Sequence, residues 1–235
     1  MADYEYLDPL PAPTALKGPP ARGRVLLVAP HPDDELIGPG GTALLHRSLG
    51  DPVFVTVLTD GTTGDVRSKH DAATYRKIRE EESRVACARL GVQEVEFCGF
   101  PDGARAREDD LGVVVPRLSE MLERWQIDVV YAPHFGEVHG DHFVTAVAVR
   151  RAVDACHRPI RTFGYEIWAP LVARWVVDVS AVMEEKRAIV HLYESQVAHT
   201  DIVHFFTGLN AYRGVYLPKG SRYGEAFDEL EPRRP

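Results

Sequence analysis

Cysteine is scarce in this 235-residue chain: Cys87, Cys98 and Cys156 stand far apart and odd in number. A disulfide framework and a cysteine-rich zinc site are therefore not expected, and buried thiols of a reducing compartment are the plain reading. Positive charge is also in deficit. The 35 Asp and Glu outnumber the 27 Lys and Arg, for a net charge of -8, which argues against a nucleic-acid backbone as the main partner. No apolar run is long enough to span a membrane. The opening residues Met1-Ala2-Asp3-Tyr4-Glu5 are acidic, and no apolar core of a signal peptide follows them. These absences predict a soluble, cytoplasmic protein that engages neither nucleic acid nor membrane.

What the chain does contain is a series of buried strands, each ending in a polar loop. Residues 1–22 hold Pro9, Pro11, Pro13, Pro19 and Pro20 and read as an extended or flexible N-terminal arm. Residues 23–235 read as a single domain. Arg24 to Ala29 is too continuously apolar for a one-sided sheet and fits a central parallel strand. A helix is expected from Thr42 to Leu49, a strand from Val53 to Leu58, and a helix from Tyr75 to Leu90 stopped by Gly91. A strand from Glu94 to Cys98 precedes a helix from Leu111 to Trp125, whose start is left open by Pro116. Asp128 to Ala132 is a fourth strand, and Phe143 to Cys156 a further helix. Four strand–loop–helix units in succession predict a Rossmann-like, doubly wound α/β fold with a mainly parallel sheet over residues 23–157. In such folds ligands bind beyond the carboxyl ends of the strands. Residues 158–235 read as a C-terminal cap, with Arg161 to Trp168 and Arg174 to Val179 as strands able to pair antiparallel.

The chemistry concentrates at two of those strand ends. Ala29-Pro30-His31-Pro32-Asp33-Asp34-Glu35 puts one imidazole and three carboxylates on one loop, which is costly to hold unless a cation or a reaction uses them. His139 and His142 repeat the three-residue spacing of His31 and Asp34 at the end of another strand. Two His and one carboxylate with an open position form a common catalytic zinc set, and a carboxylate beside the metal, such as Asp33, can serve as general base. Read singly, His31 is equally at home as a loop histidine at a helix start.

The motifs His31-Pro32-Asp33-Asp34-Glu35 with Gly40-Gly41-Thr42, and His139-Gly140-Asp141-His142, resemble those of the LmbE-like (PIG-L) N-acetylglucosaminyl deacetylases. Thr59-Asp60-Gly61, Arg79-Glu80-Glu81-Glu82, Phe100-Pro101-Asp102-Gly103, Tyr193-Glu194-Ser195-Gln196 and Gly224-Glu225-Ala226-Phe227 fall in the family's order. The resemblance implies a zinc ion, or another divalent metal, on His31, Asp34 and His142. It implies Asp33 as the base that activates the metal's water, and His139 as the group that stabilises the oxyanion and protonates the leaving amine. Arg79 and Asp102 are implied to bind sugar hydroxyls, although Arg79 could equally pair with Glu82 on its own helix. Where the family often has Pro, this chain has Gly140, which loosens the position expected for His139. Asp60 is expected to brace a zinc-ligating His from behind, and Glu137 to orient a histidine or solvate its loop.

The reaction so implied removes an N-acyl group, most simply N-acetyl, from a glucosamine-type sugar or conjugate, in a branch similar to the bacillithiol-type enzymes. Two alternatives stand beside it: a two-metal phosphoesterase, drawing further ligands from Asp60 and Asp102, and a non-catalytic ligand-binding protein of the same fold. The partner is a small N-acyl sugar, and the arm and cap could serve an interface between copies of the chain. His134, His199 and His204 could each reach the site. His46, His70 and His157 read as exposed, and Trp125, Trp168 and Trp175 as core or interface residues rather than sugar platforms.

Overall fold

The structure, a computed structural model, describes residues 11–103 and 108–231. The proline-rich arm enters the fold as a short strand, β1 (Thr14–Leu16); residues 1–10 of that arm lie outside the described residues. Next come β2 (Val25–Ala29), α1 (Asp34–Ile37), α2 (Gly40–Ser48) and β3 (Val53–Thr59). They are followed by α3 (Ala72–Leu90), β4 (Glu94–Phe100), α4 (Glu108–Arg124), β5 (Val129–Pro133) and α5 (Gly140–Asp154). Helix α3 starts one turn earlier than its apolar spacing indicates, because the Asp71 carboxylate accepts the Thr74 N–H and caps it. Gly91, at a φ of 86°, ends it. Pro116 lies inside α4 rather than before it. The buried face Leu111, Val114, Leu118, Met121 and Leu122 outweighs the hydrogen bond that proline removes.

The last third supplies β6 (Arg161–Tyr165), β7 (Trp175–Asp178), α6 (Met183–Val190), α7 (Glu194–Val197), α8 (Ile202–Arg213) and β8 (Gly224–Glu229). Here the structure corrects the expected pairing. β6 and β7 do not pair with each other: β8 lies between them and runs antiparallel to both. The eight strands form one sheet in the order β1-β7-β8-β6-β5-β2-β3-β4, and every other pairing in it is parallel. The segment expected as a cap thus contributes three strands to the sheet itself, and its helices α6 and α8 add Ile189, Val190 and Phe206 to one of the cores that cover the sheet.

Side chains of β2 alternate between two cores, as the two-residue period of a strand requires. Val25, Leu27 and Ala29 pack in one layer with Leu44, Ala86, Leu90 and Ile189. Leu26 and Val28 pack in the other with Leu118, Met121, Val149 and Ala152. Both faces of the sheet are therefore covered, which is why β2 carries no polar residue. No helix among the described residues is long and apolar enough to cross a membrane.

Strand order fixes where a ligand can bind. From β2 the chain moves outward through β3 to β4, then returns to lay β5 on the other side of β2. Neighbouring crossovers diverge there and open a crevice at the carboxyl ends of β2 and β5. His31 to Glu35 leave the end of β2, and His134 to His142 leave the end of β5.

Candidate functional site

His31 sits at the centre of the crevice. Its Nδ1 and its backbone N–H both lie 3.0 Å from Asp34 Oδ2. Its Nε2 lies 3.1 Å from Asp102 Oδ1 and 3.1 Å from Asp141 Oδ2. Burial by itself would lower the His31 pKa, but these three carboxylates hold it well above the ordinary histidine range. Asp34 is buried too, yet His142 and His31 keep its carboxyl well below the usual carboxylate range.

Asp33 is in a different state. Its φ of 141° is one that L-residues seldom adopt, and its backbone N–H is held by Glu35 Oε2 at 2.9 Å. Burial pushes its carboxyl up to about 7; Arg79 opposes that rise, while Asp34 and Glu35 add to it. Adjacent carboxylates are thus driven in opposite directions, one held ionised between imidazoles and one poised to exchange a proton near neutral pH. Glu35, fully buried, also accepts from the Ser83 hydroxyl at 2.5 Å and the Tyr193 hydroxyl at 2.7 Å. From the first turn of α1 it thus supports the Asp33 backbone.

The second loop closes over the first. His139 is the N-cap of α5, its Nδ1 accepting the Asp141 N–H at 3.3 Å. That bond fixes the ring despite Gly140 and leaves Nε2 as the protonated nitrogen of the neutral imidazole. Burial, then His31 and His142, lower the His139 pKa. His142 is fully buried, with Nε2 3.3 Å from Asp34 Oδ2 and Nδ1 3.3 Å from Glu137 Oε2. These carboxylates overcome its burial and raise its pKa to about 9. Ring centroids separate His31 from His139 by 4.9 Å, His31 from His142 by 5.4 Å and His139 from His142 by 5.0 Å. Glu137 faces inward, and its Oε1 also accepts from the backbone N–H groups of Ile167 at 2.7 Å and Trp168 at 3.1 Å.

The remaining expected residues distribute unevenly. Arg79 does not pair with Glu82, which instead accepts from Ser195. The Arg79 guanidinium is buried, 2.6 Å from the Pro32 carbonyl, 3.3 Å from the Gly61 carbonyl and 3.2 Å from Asp33 Oδ2. Gly61 has to be glycine for this: its φ is 62°, and a Cβ there would stand 2.9 Å from Pro32 Cδ. Asp102 reaches His31 and also accepts from the Thr63 N–H at 3.0 Å. Asp60 is a correction. Its carboxylate braces no imidazole but accepts from Thr62 and from the Asp102 N–H at 3.3 Å, because β3 ends one strand away from the histidines.

Asp141, passed over between two histidines of one motif, is the residue that sequence reasoning missed. It is 1% exposed and holds both His31 Nε2 and the Gly103 N–H. The signal was its place inside α5's first turn, where an acidic side chain is favoured and can turn back toward the strand ends. His134 spends both nitrogens on its own surroundings, Nε2 on the Ala169 carbonyl at 2.8 Å and Nδ1 on the Gly136 N–H at 3.0 Å. His46 is fully buried, between Asp51 and the Tyr131 hydroxyl, whereas His70, His157 and His204 are exposed.

The donor set fits a divalent cation. Both nitrogens of buried His142 and Asp141 Oδ1 lack a hydrogen-bond partner of good geometry. His31, His139 and His142 offer nitrogens within 4.8 Å of one another, as do the donors of His31, Asp102 and Asp141. Asp34 Oδ2 lies between His31 and His142. Nitrogen and oxygen donors of this kind suit zinc and other first-row divalent ions. The cluster opens into a cavity of about 200 Å³, whose lining includes His31, Asp33, Asp34, Arg79, Asp102 and His139 together with Trp168 and Phe205. A larger cavity of about 740 Å³, lined by His134, Phe143, Leu171 and Leu230 among others, contains none of the clustered residues.

A protein-family model described as PIG-L, GlcNAc-PI de-N-acetylase, matches residues 26–153. The 2'-N-acetylparomamine deacetylase of Streptomyces fradiae is 31% identical over 193 residues, 72% of this chain and 65% of that protein. The "Probable N-acetyl-alpha-D-glucosaminyl L-malate deacetylase 2" of Bacillus cereus is 34% identical over 134 residues, 55% of this chain and 60% of that protein. The matched region thus spans less than two thirds of the length of these curated relatives. Among solved structures, the N,N'-diacetylchitobiose deacetylase from Pyrococcus horikoshii, complexed with its inhibitor, superposes with a TM-score of 0.72 at 25% identity, covering 87% of this chain and 82% of that chain.

Proposed function

This chain belongs to the PIG-L family of GlcNAc-PI de-N-acetylases, and from that premise we propose that it is a metal-dependent amidohydrolase. It removes an N-acetyl group from a small glucosamine-type sugar conjugate. The observation that carries the reading is the pairing of Asp33 and Asp34: one carboxylate lies between two imidazoles, and its neighbour, turned away by an unusual backbone, meets Arg79 instead and is placed for proton transfer.

His31, Asp34 and His142 would hold the ion, with zinc the simplest occupant. When bound, the ion supplies a water of lowered pKa and polarises the scissile carbonyl. Asp33 takes the proton from the attacking water, its carboxylate kept in place by Arg79 and by the Glu35 bond to its backbone. His139 presents its Nε2 proton to the developing oxyanion and then gives it to the departing amine, and the proton that Asp33 took from the water replaces it. Its Nδ1 accepts the Asp141 N–H at the helix start, which orients the ring. Asp102 and Arg79 line the cavity in front of the cluster, where the substrate hydroxyls would lie.

Among the described residues, the donor triads His31–His139–His142 and His31–Asp102–Asp141 both run through His31, and so does the Asp34 bridge. This favours one ion over the paired ions of a phosphoesterase. The test is release of primary amine from a panel of N-acetylglucosamine conjugates, before and after chelation and after zinc is restored. Activity that survives complete metal removal overturns the mechanism.

A further inference from the structure

The three tryptophans, read from the sequence as core or interface residues, part company in the structure. Trp125 is buried and stacked on Phe54. Trp175 lies in β7 against Phe163. Trp168 is 48% exposed, lines the cavity that holds His31, Asp33 and His139, and stacks on Phe205 with centroids 5.0 Å apart and planes inclined by 23°.

We propose that Trp168, backed by Phe205, forms an aromatic subsite for the second ring of a two-ring glycoside, the ring attached to the N-acetylated sugar. This deepens the deacetylase reading and rests on it. The exposure gradient decides which ring goes where. Asp33, Asp34 and His142 are 7%, 3% and 0% exposed, so the acylated nitrogen has to enter the deep end, and Trp168 stands at the mouth. The cavity, open to solvent and of about 200 Å³, falls below the ~300–1,000 Å³ of pockets that enclose a drug-sized ligand. One ring fits inside, and a second extends over the aromatic pair. A pyranose-like ring bears hydroxyls round its rim and C–H groups on its faces, which matches the apolar face and polar edge of an indole.

The platform is rigid and tied to the reaction centre. Glu137 accepts the backbone N–H groups of Ile167, Trp168 and Ala169, and its other oxygen faces His142 Nδ1. The Ala169 carbonyl is fixed in turn by His134. On the opposite side, Phe205 lies in the first turn of α8, which Asp201 caps by accepting the His204 N–H at 3.0 Å. One carboxylate thus orients both a metal-ligand candidate and the loop carrying the aromatic ring, so the two ends of the substrate are held at a fixed separation.

The experiment compares N-acetylglucosamine with N,N'-diacetylchitobiose as substrates for the wild type, Trp168→Ala and Trp168→Phe, and follows tryptophan fluorescence on adding each sugar. The wild type is expected to prefer the disaccharide. Trp168→Ala should raise KM for the disaccharide roughly fivefold or more with little loss of kcat, so the preference collapses, and Trp168→Phe should recover most of it. The disaccharide should quench wild-type fluorescence, and that quench should vanish in Trp168→Phe, where Trp125 and Trp175 remain. Equal losses on both substrates, or a quench that persists in Trp168→Phe, would overturn the subsite while leaving deacetylation intact. If no amine is released from any conjugate, the deacetylase reading fails, and the fluorescence arm still decides the subsite.

Discussion

The backbone N–H of Asp33 donates to the Glu35 carboxylate across 2.9 Å, and that bond holds Asp33 at a φ of 141°. Strain of this kind costs on the order of 1–3 kcal/mol and persists only where the surroundings over-determine it. Here they do: Glu35 also binds Ser83 and Tyr193, and Arg79 holds the Asp33 carboxylate from the other side. Glu35→Gln keeps an acceptor oxygen but trades the other for an amide that has to donate. It should fold and keep its metal while kcat falls at least tenfold. Metal content measured beside kcat checks this; unchanged kcat would separate Glu35 from the chemistry.

Asp33 and His31 should fail differently. Asp33→Ala is expected to retain metal and lose turnover by about 10²–10⁴, the usual contribution of a positioned base. His31→Ala should lose both metal and activity, because His31 is common to every candidate ligand set. Equal metal loss in the two variants would reverse the roles.

Arg79→Leu leaves the Asp33 carboxylate buried without its cation. Breaking such a pair typically costs about 3–5 kcal/mol, and the loss should fall at the low end, since a carboxyl already raised to about 7 can escape by binding a proton. Urea denaturation reads the cost. Adding Asp33→Asn to Arg79→Leu should recover part of it; a double variant less stable than the single one would refute the pairing.

His46 sets a pH-dependent contribution to stability. Its burial lowers its folded pKa, partly offset by Asp51, so the unfolded chain takes up the proton first. The stability it provides is therefore present above the unfolded value of about 6.5 and is lost as pH falls below it. The advantage of the wild type over His46→Gln in urea midpoint should shrink between pH 7.5 and pH 5.5. An advantage that grows on acidification would mean the imidazole is charged in the folded state.

The sequence by itself determined the parallel half of the fold and the two loops whose ionisable residues meet. Strand β2 is apolar on both faces because it packs two layers, and that pattern is local, as are the three-residue spacings of His31 with Asp34 and His139 with His142. Tertiary structure alone decided the remainder, because it depends on which distant segments meet. Nothing in Gly224–Glu229 announces that it will lie between Arg161–Tyr165 and Trp175–Asp178. His46 became buried only because Asp51 and Tyr131 offered it partners. Asp60 ended up behind Asp102 rather than behind a histidine. Asp141 turned inward to His31, and Trp168, one tryptophan of three, came to rest at the mouth of the site because Glu137 holds its backbone there. Periodicity and spacing specify what a segment becomes; partnership across the chain specifies what its polar and aromatic side chains can do, since their cost of burial is settled only by the groups they find.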